Sequence, residues 1–245
     1  MIYKNIKFLA PEEYLKFADK KLYPQPANKL IPEWYRKLQT NELRPTIKSC
    51  KPFLDTLCSG YILKMPYDLY IHNNFWNDKD KRYDSYQKAN VSNLGYPINF
   101  PNSPSWHSQA QVKGSNILEK NNNQAFGKIH NPWLIRTPPG YSCLFVPPLN
   151  NQDDRFSIIP GIVDTDTYDY EVNFPFTING DKYKELKTII YAGTSIVQVI
   201  PFKRDSWSMS TEIWKKDDLL KARFNFGHFI HKLYAKLNWK IKRFK

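Results

Sequence analysis

The sequence predicts a mainly β fold, an antiparallel β-roll or barrel, with short helices before it and a basic helix after it. Between residues 128 and 202, runs of β-branched and aromatic residues recur about every 10–15 residues, with turn residues between them. The 16 Tyr and 15 Phe favour strands, and the 18 Pro keep helices short. Regular strands without intervening helices are typical of antiparallel barrels and sandwiches.

Two short helices are predicted at the start of the chain. In residues 11–22, Pro11 suits the first helical turn, and Tyr14, Leu15 and Phe17 begin an apolar stripe. A second helix is predicted over residues 32–38, again with Pro in its first turn. We therefore expect residues 1–44 to form an N-terminal helical segment of a single domain that spans residues 1–245.

The predicted β core covers residues 45–207. Its strands are expected at residues 60–65, 68–72, 133–136, 141–146, 156–163, 170–178, 188–191 and 195–202. The polar stretches 77–105 and 114–125 are expected to be loops. Residues 212–245 are predicted to form a basic C-terminal helix, because apolar residues recur at three- and four-residue spacing.

The net charge of +13, from 36 basic and 23 acidic residues, leaves two interpretations open. It can reflect a Lys-rich surface in a chain that is also rich in Asn, or attraction to nucleic acid, anionic lipid or an acidic partner. Three cysteines without a CxxC pair argue against a disulfide framework and for a reducing compartment. With no signal peptide or apolar membrane-length run visible, a cytoplasmic location is expected.

Candidate site residues lie near the predicted strand ends, where barrels hold ligands. His107, Gln109 and Gln111 would share one face if that segment is extended. Asp164 is the candidate general base, and with His107 it is also the candidate ligand of a divalent metal ion. The remaining candidate ligand contacts are Trp133, Asp166, Tyr168 and Arg204. Phosphate-binding loops, dinucleotide fingerprints and the Gly-x-Ser-x-Gly elbow are absent.

Two segments resemble the β-barrel of the dUTPases and dCTP deaminases. They are residues 161–168 (GIVDTDTY) and 193–198 (GTSIVQ). The resemblance implies an Asp that activates water and a Tyr that packs under deoxyribose. The sequence departs from that pattern, because Thr167 is inserted before the Tyr and the Ser-rich and Gly-rich phosphate segments are missing. A cupin-like barrel with His and carboxylate ligands around a metal is the related alternative.

Longer stretches resemble an uncharacterised protein family found in tailed phages and scattered bacteria. The residues concerned are 31–35 (IPEWY), 46–55 (TIKSCKPFLD), 59–62 (SGYI), 131–142 (NPWLIRTPPGYS), 163–166 (VDTD) and 200–207 (IPFKRDSW). This resemblance implies a phage-like context, in the host cytoplasm or the virion. It brings no activity or catalytic residues.

Three functional hypotheses follow. The first is an accessory protein with a ligand pocket in the barrel, which leaves open whether it is an enzyme. The second is a virion structural or assembly component that forms homo-oligomers or docks on another protein. The third is a nucleic-acid-binding protein that uses the basic tail, whose cations are Lys240, Lys242, Arg243 and Lys245, interleaved with aromatic residues.

Overall fold

Strands dominate the fold, as the sequence predicts. The computed structural model describes residues 4–40, 46–90, 105–217, 220 and 234–245. The strands in these residues are β1 (Lys7–Leu9), β2 (Gln25–Pro26), β3 (Tyr61–Lys64), β4 (Asp68–Asn77), β5 (Arg82–Asn90), β6 (Ser105–His107), β7 (Phe126–Ile129), β8 (Leu134–Arg136), β9 (Tyr141–Val146), β10 (Phe156–Ile158), β11 (Gly161–Val163), β12 (Phe174–Ile178), β13 (Leu186–Ile190) and β14 (Ser195–Lys203).

These strands form four antiparallel sheets. The largest has the order β11-β9-β14-β3-β2, and a second has the order β10-β12-β7-β6. The third is β13-β4-β5, and β1 pairs with β8 alone. The mainly β, antiparallel prediction is therefore confirmed. The predicted closure into a barrel is not seen in the described part of the chain, where every sheet ends at two edge strands.

One hydrophobic core joins the three larger sheets. Along β9 and β14, Cys143, Phe145, Val197 and Val199 are fully or nearly fully buried. They share a cluster with apolar residues of the other sheets, among them Ile71, Ile129, Phe156, Phe174, Phe176 and Ile190. Alternation along each strand turns every second side chain inward. The interior is accordingly packed with apolar groups.

The N-terminal helices form where the prolines predict them. Helix α1 covers Glu12–Phe17 and is followed by a 3₁₀ turn at Lys20–Leu22, and α2 covers Glu33–Lys37. The predicted helical segment also contains β1 and β2. Two helices lie where the sequence predicts no helix, α3 (Lys51–Cys58) and α4 (Asn116–Lys120). Among the described residues, no helix is long and apolar enough to cross a membrane.

One predicted strand and one predicted loop need correction. The run 156–163 is two strands, because Pro160 lies between β10, which pairs with β12, and β11, which pairs with β9. In the predicted loop 77–105, β5 pairs along most of β4, and residues 91–104 lie outside the described residues. The tendency of the polar β5 sequence to form a strand comes from its partner, not from its own pattern.

The C-terminal helix is not seen at either end of its predicted range. Residues 211–215 and 239–245 are not helical, whereas residues 216, 217 and 220 are helical and Tyr234–Asn238 forms one π-helical turn. The predicted residues 218–219 and 221–233 lie outside the described part of the chain. Residues 239–245 instead lie back on the body of the protein, as their contacts below establish.

Candidate ligand-binding cleft and the neighbouring acidic turn

A network of hydrogen bonds holds the turn that follows β11. Arg204 comes directly after β14 and forms a two-pronged salt bridge with Asp166, at 2.8 Å for Nη1–Oδ1 and 2.5 Å for Nη2–Oδ2. The backbone N–H of Gly140 donates to the same carboxylate at 2.8 Å. The N–H of Arg204 donates to the carbonyl of Gly140 at 2.9 Å. These bonds tie together the turn before β9, the turn after β11 and the end of β14.

Asp166 is a structural acceptor in this network. Its side chain is only 5% exposed. The Arg204 guanidinium, assisted by the N–H of Gly140, lowers the pKa of Asp166 to about 2. A carboxylate held so strongly in its ionised form accepts a proton poorly near neutral pH. The predicted ligand contacts Asp166 and Arg204 are thus brought together, and they are bonded to each other.

Asp164 has a different environment two residues earlier. Its side chain is 62% exposed, accepts a hydrogen bond from Ser142 Oγ at 2.6 Å, and lies 3.3 Å from Arg204 Nη1. Between the two acids, Thr165 is fully buried and hydrogen-bonds Thr137 at 2.8 Å. The turn therefore directs one carboxylate to solvent and secures the other against the body.

Tyr168 is the candidate ring of the dUTPase-like segment. Its side chain is exposed and packs edge-to-face against Tyr170, with ring centroids 5.8 Å apart. Its backbone N–H donates to the carbonyl of Asp164 at 3.0 Å. The ring is free to meet a ligand, but its side-chain contact is with Tyr170 and not with the two acids.

His107 belongs to a separate group of residues at the edge strand β6. Its Nδ1 donates to Gln111 Oε1 at 2.6 Å, and its ring stacks on Phe126 with centroids 5.0 Å apart. Residues Gln109–Val112 form a 3₁₀ turn, so the expected extended alternation of His107, Gln109 and Gln111 does not occur. Gln109 is directed away and donates to the carbonyl of Asn123.

The two residues of the predicted metal pair have different side-chain partners. The side-chain partners of His107 are Gln111 and Phe126, whereas those of Asp164 are Ser142 and Arg204. No group of three or more His, Cys, Asp or Glu side chains that could hold a metal ion occurs in the described ranges. The described residues therefore offer no cluster in support of the divalent-metal hypothesis.

Trp133 is a core residue rather than a pocket residue. It is 4% exposed and packs edge-to-face against Tyr14 and Tyr23, with centroids 5.4 Å and 5.3 Å away. This aromatic cluster packs α1 against the segment that leads into β8. Trp133, which was expected to contact a ligand, is therefore placed in the hydrophobic core.

The basic tail is anchored on α3. The indole N–H of Trp239 donates to both carboxylate oxygens of Asp55, at 3.2 Å and 3.1 Å, and Lys242 Nζ lies 2.5 Å from the same side chain. Lys51 Nζ lies 4.9 Å from the centre of the Trp239 ring. Of the predicted tail cations, Lys242 is thus used in anchoring, and Lys240 is exposed to solvent.

A cleft of about 570 Å³ opens where the end of the tail meets the body. This volume is within the range of small-molecule sites. Tyr61 of β3 supports the tail, since its ring contacts Phe244 edge-to-face at 6.0 Å and its hydroxyl donates to the carbonyl of Lys245 at 3.3 Å. The described residues that line the cleft are Lys4, Asn5, Ile6, Tyr61, Thr137, Pro138, Tyr141, Pro201, Arg243, Phe244 and Lys245.

The cleft combines positive charge with aromatic surface. Lys4, Arg243 and Lys245 line it, and none of the described lining residues is acidic. Lys4 Nζ lies 4.8 Å from the centre of the Tyr141 ring, within the range of a cation–π contact. The carbonyl of Tyr141 also accepts from Arg204 at 3.2 Å, so the acidic turn supports one wall of the cleft.

Sequence reasoning found part of this cleft and missed the rest. Arg243 and Lys245 were expected to contact a partner, but Lys4, Tyr61 and Tyr141 were not. The only local signal for Tyr141 is its place after the PPG turn. No spacing in the sequence links residue 4 to residue 243, because only tertiary packing brings them together.

Comparisons of the chain with protein-family models, with curated proteins and with solved structures found no match.

Proposed function

We propose that this protein binds a nucleotide unit, a phosphate group carried with a planar base, in the cleft beside its C-terminal segment. The observation that supports the proposal is the convergence of Lys4, Arg243 and Lys245 with two tyrosine rings, without any acidic side chain among the described lining residues. The same chemistry suits a free nucleotide or one unit of a single-stranded nucleic acid.

The chemistry of a nucleotide matches both features of the cleft. Phosphate oxygens are bound most strongly by charge-assisted hydrogen bonds, and an arginine can bind two of them at once. A base stacks on an aromatic ring regardless of its sequence identity. Because Lys4 lies against the Tyr141 ring, a phosphate beside Lys4 would have an aromatic surface within reach of its base.

The acids beside the cleft wall support binding rather than metal-dependent hydrolysis. Asp166 has its carboxylate occupied by Arg204 and Gly140, and Asp164 is bonded to Ser142. In this proposal the tail does not bind nucleic acid alone: Arg243 and Lys245 act together with Lys4.

The test is titration of the purified protein with AMP by isothermal calorimetry. We expect Arg243→Gln and Lys4→Gln each to weaken binding by about tenfold or more, since a hydrogen bond to a charged group contributes roughly 1.5–3 kcal/mol. The matched control is Lys37→Gln, which removes an exposed lysine of α2 that lies outside the cleft lining. Equal affinity of Arg243→Gln and Lys37→Gln would contradict the proposal. A parallel titration with a short oligothymidine distinguishes a free nucleotide from a strand as the ligand.

A further inference from the structure

A second surface rich in rings and cations lies on the outer side of the β13-β4-β5 sheet. Along β4 and β5, the inward side chains Leu69, Ile71 and Ala89 are buried in the core. Their alternating neighbours point away from it. We call this surface the outer sheet face; its residues include Asp68, Tyr70, His72, Phe75, Asp84, Tyr86, Lys88, Lys187 and Ile189.

The rings of this face are held next to one another. Tyr70 and Tyr86 lie on adjacent strands with centroids 6.1 Å apart, and Tyr86 remains 48% exposed. A bulge in β4 between His72 and Phe75 restores Phe75 to the outer side, where its ring stacks on His72 at 4.3 Å. The result is an aromatic surface that extends along two strands.

Two lysines are placed directly beside these rings. Lys88 is the cross-strand partner of Tyr70, and Lys187 is the cross-strand partner of His72. The nearby acid Glu185 is bonded to His72 at 2.7 Å. Neither lysine has a salt bridge to any acid among the residues that the structure describes. The charges of these two lysines are therefore available to an external anion. The acids of the same face have other partners, since Asp84 lies 3.6 Å from Arg82 and Asp68 accepts from the N–H of Ala192 at 2.7 Å.

We propose that the outer sheet face binds single-stranded nucleic acid, as a site beyond the cleft. Alternating rings and cations on an open surface match a strand whose bases stack and whose phosphates pair with lysines. The excess of basic over acidic residues in the whole chain favours the same partner.

The experiment is fluorescence anisotropy with a labelled oligothymidine of about ten nucleotides. Tyr86→Ala is expected to weaken binding by at least about fivefold, because each stacked base contributes roughly 1–3 kcal/mol. The matched control is Tyr83→Ala. Tyr83 is 57% exposed on the same strand, but three residues away and so on the opposite face. Wild-type affinity in Tyr86→Ala, or an equal loss in Tyr83→Ala, would overturn the inference.

The lysines supply an independent measurement. The double variant Lys88→Gln, Lys187→Gln is expected to lower the slope of log affinity against log salt by about 0.7 per lysine. An unchanged slope would overturn the inference, because these two lysines would then neutralise no phosphate of the strand.

Titration of AMP separates the inference from the proposed function. Tyr86→Ala should leave AMP affinity unchanged, whereas Arg243→Gln should weaken it. If wild-type protein bound AMP and bound the oligothymidine no more tightly than AMP, binding at the outer sheet face would be refuted and binding in the cleft would not. Protein that fails to bind AMP, while oligothymidine binding still depends on Tyr86, would refute the cleft alone.

Discussion

Replacement of Gln198 by leucine should destabilise the protein by removing three hydrogen bonds at the centre of the largest sheet. Gln198 is 1% exposed on β14. Its Nε2 donates to the carbonyls of Thr56 at 2.8 Å and Ser59 at 2.6 Å. Its Oε1 accepts from the N–H of Leu149 at 2.8 Å. One side chain thus connects β14 to the end of α3 and to the loop after β9.

The magnitude follows from the partners left behind. Leucine has nearly the same size as glutamine, so the main loss is three backbone groups without a partner. Each such group costs roughly 1–3 kcal/mol when buried. Thr56, Ser59 and Leu149 are half-buried, so water reaches them in part and the lower end applies. We expect a total loss of about 3 kcal/mol in the free energy of unfolding, or a Tm lower by roughly 6–12 °C.

The assay is urea unfolding followed by tryptophan fluorescence, with the midpoint and slope compared between variants. The control is Gln152→Leu, the same substitution in an exposed loop, which should change the free energy of unfolding by less than about 0.5 kcal/mol. If Gln198→Leu proved as stable as Gln152→Leu, the three hydrogen bonds of Gln198 would not contribute the expected stabilisation of about 3 kcal/mol.

The remaining predictions concern the acidic turn, two glycines and the tail. Asp166→Asn should lower the Tm at neutral pH; since the folded pKa of Asp166 is depressed from 3.8 to about 2, the difference from wild type should be nearly full above about pH 4 and be lost as the pH falls through 2, as measured by thermal melts across that range. Gly60→Ala should prevent stable folding, because at φ +69° its Cβ would lie 1.9 Å from the carbonyl oxygen of Val199; Gly140→Ala, at φ +81° in open space, should cost only about 1–2 kcal/mol in a urea melt. Asp55→Ala should release Trp239 and Lys242, so that trypsin cleaves the tail several-fold faster than in wild type and AMP binds more weakly; an unchanged cleavage rate would disprove the anchoring.

The sequence predicted best where a strand is defined by its own residues. For β9, the predicted range 141–146 agrees with the observed Tyr141–Val146, because a Pro-Gly turn precedes it and two prolines follow it. The final strand was predicted to within one residue at its end. In contrast, β5 has a polar sequence and becomes a strand by pairing with β4.

For the candidate site, the sequence identified several residues but not their relations. Asp166 and Arg204 were both expected to contact a ligand, and the structure pairs them with each other. Trp133 was expected in a pocket and lies in the core. The hydrophobicity of a residue predicts burial, but which polar groups meet depends on contacts between distant segments.

The amino-acid sequence by itself determined the class of this protein, because turn residues and alternating apolar residues act over a few positions and select antiparallel strands locally. Tertiary structure alone decided that residues 4, 61, 141 and 243 would line one cleft and that Tyr86 and Tyr83 would face opposite ways. The physical reason is that the cleft depends on the packing of residues 4 and 243 beside β3 and β9, and that the polar segment β5 acquires two faces only by pairing with β4.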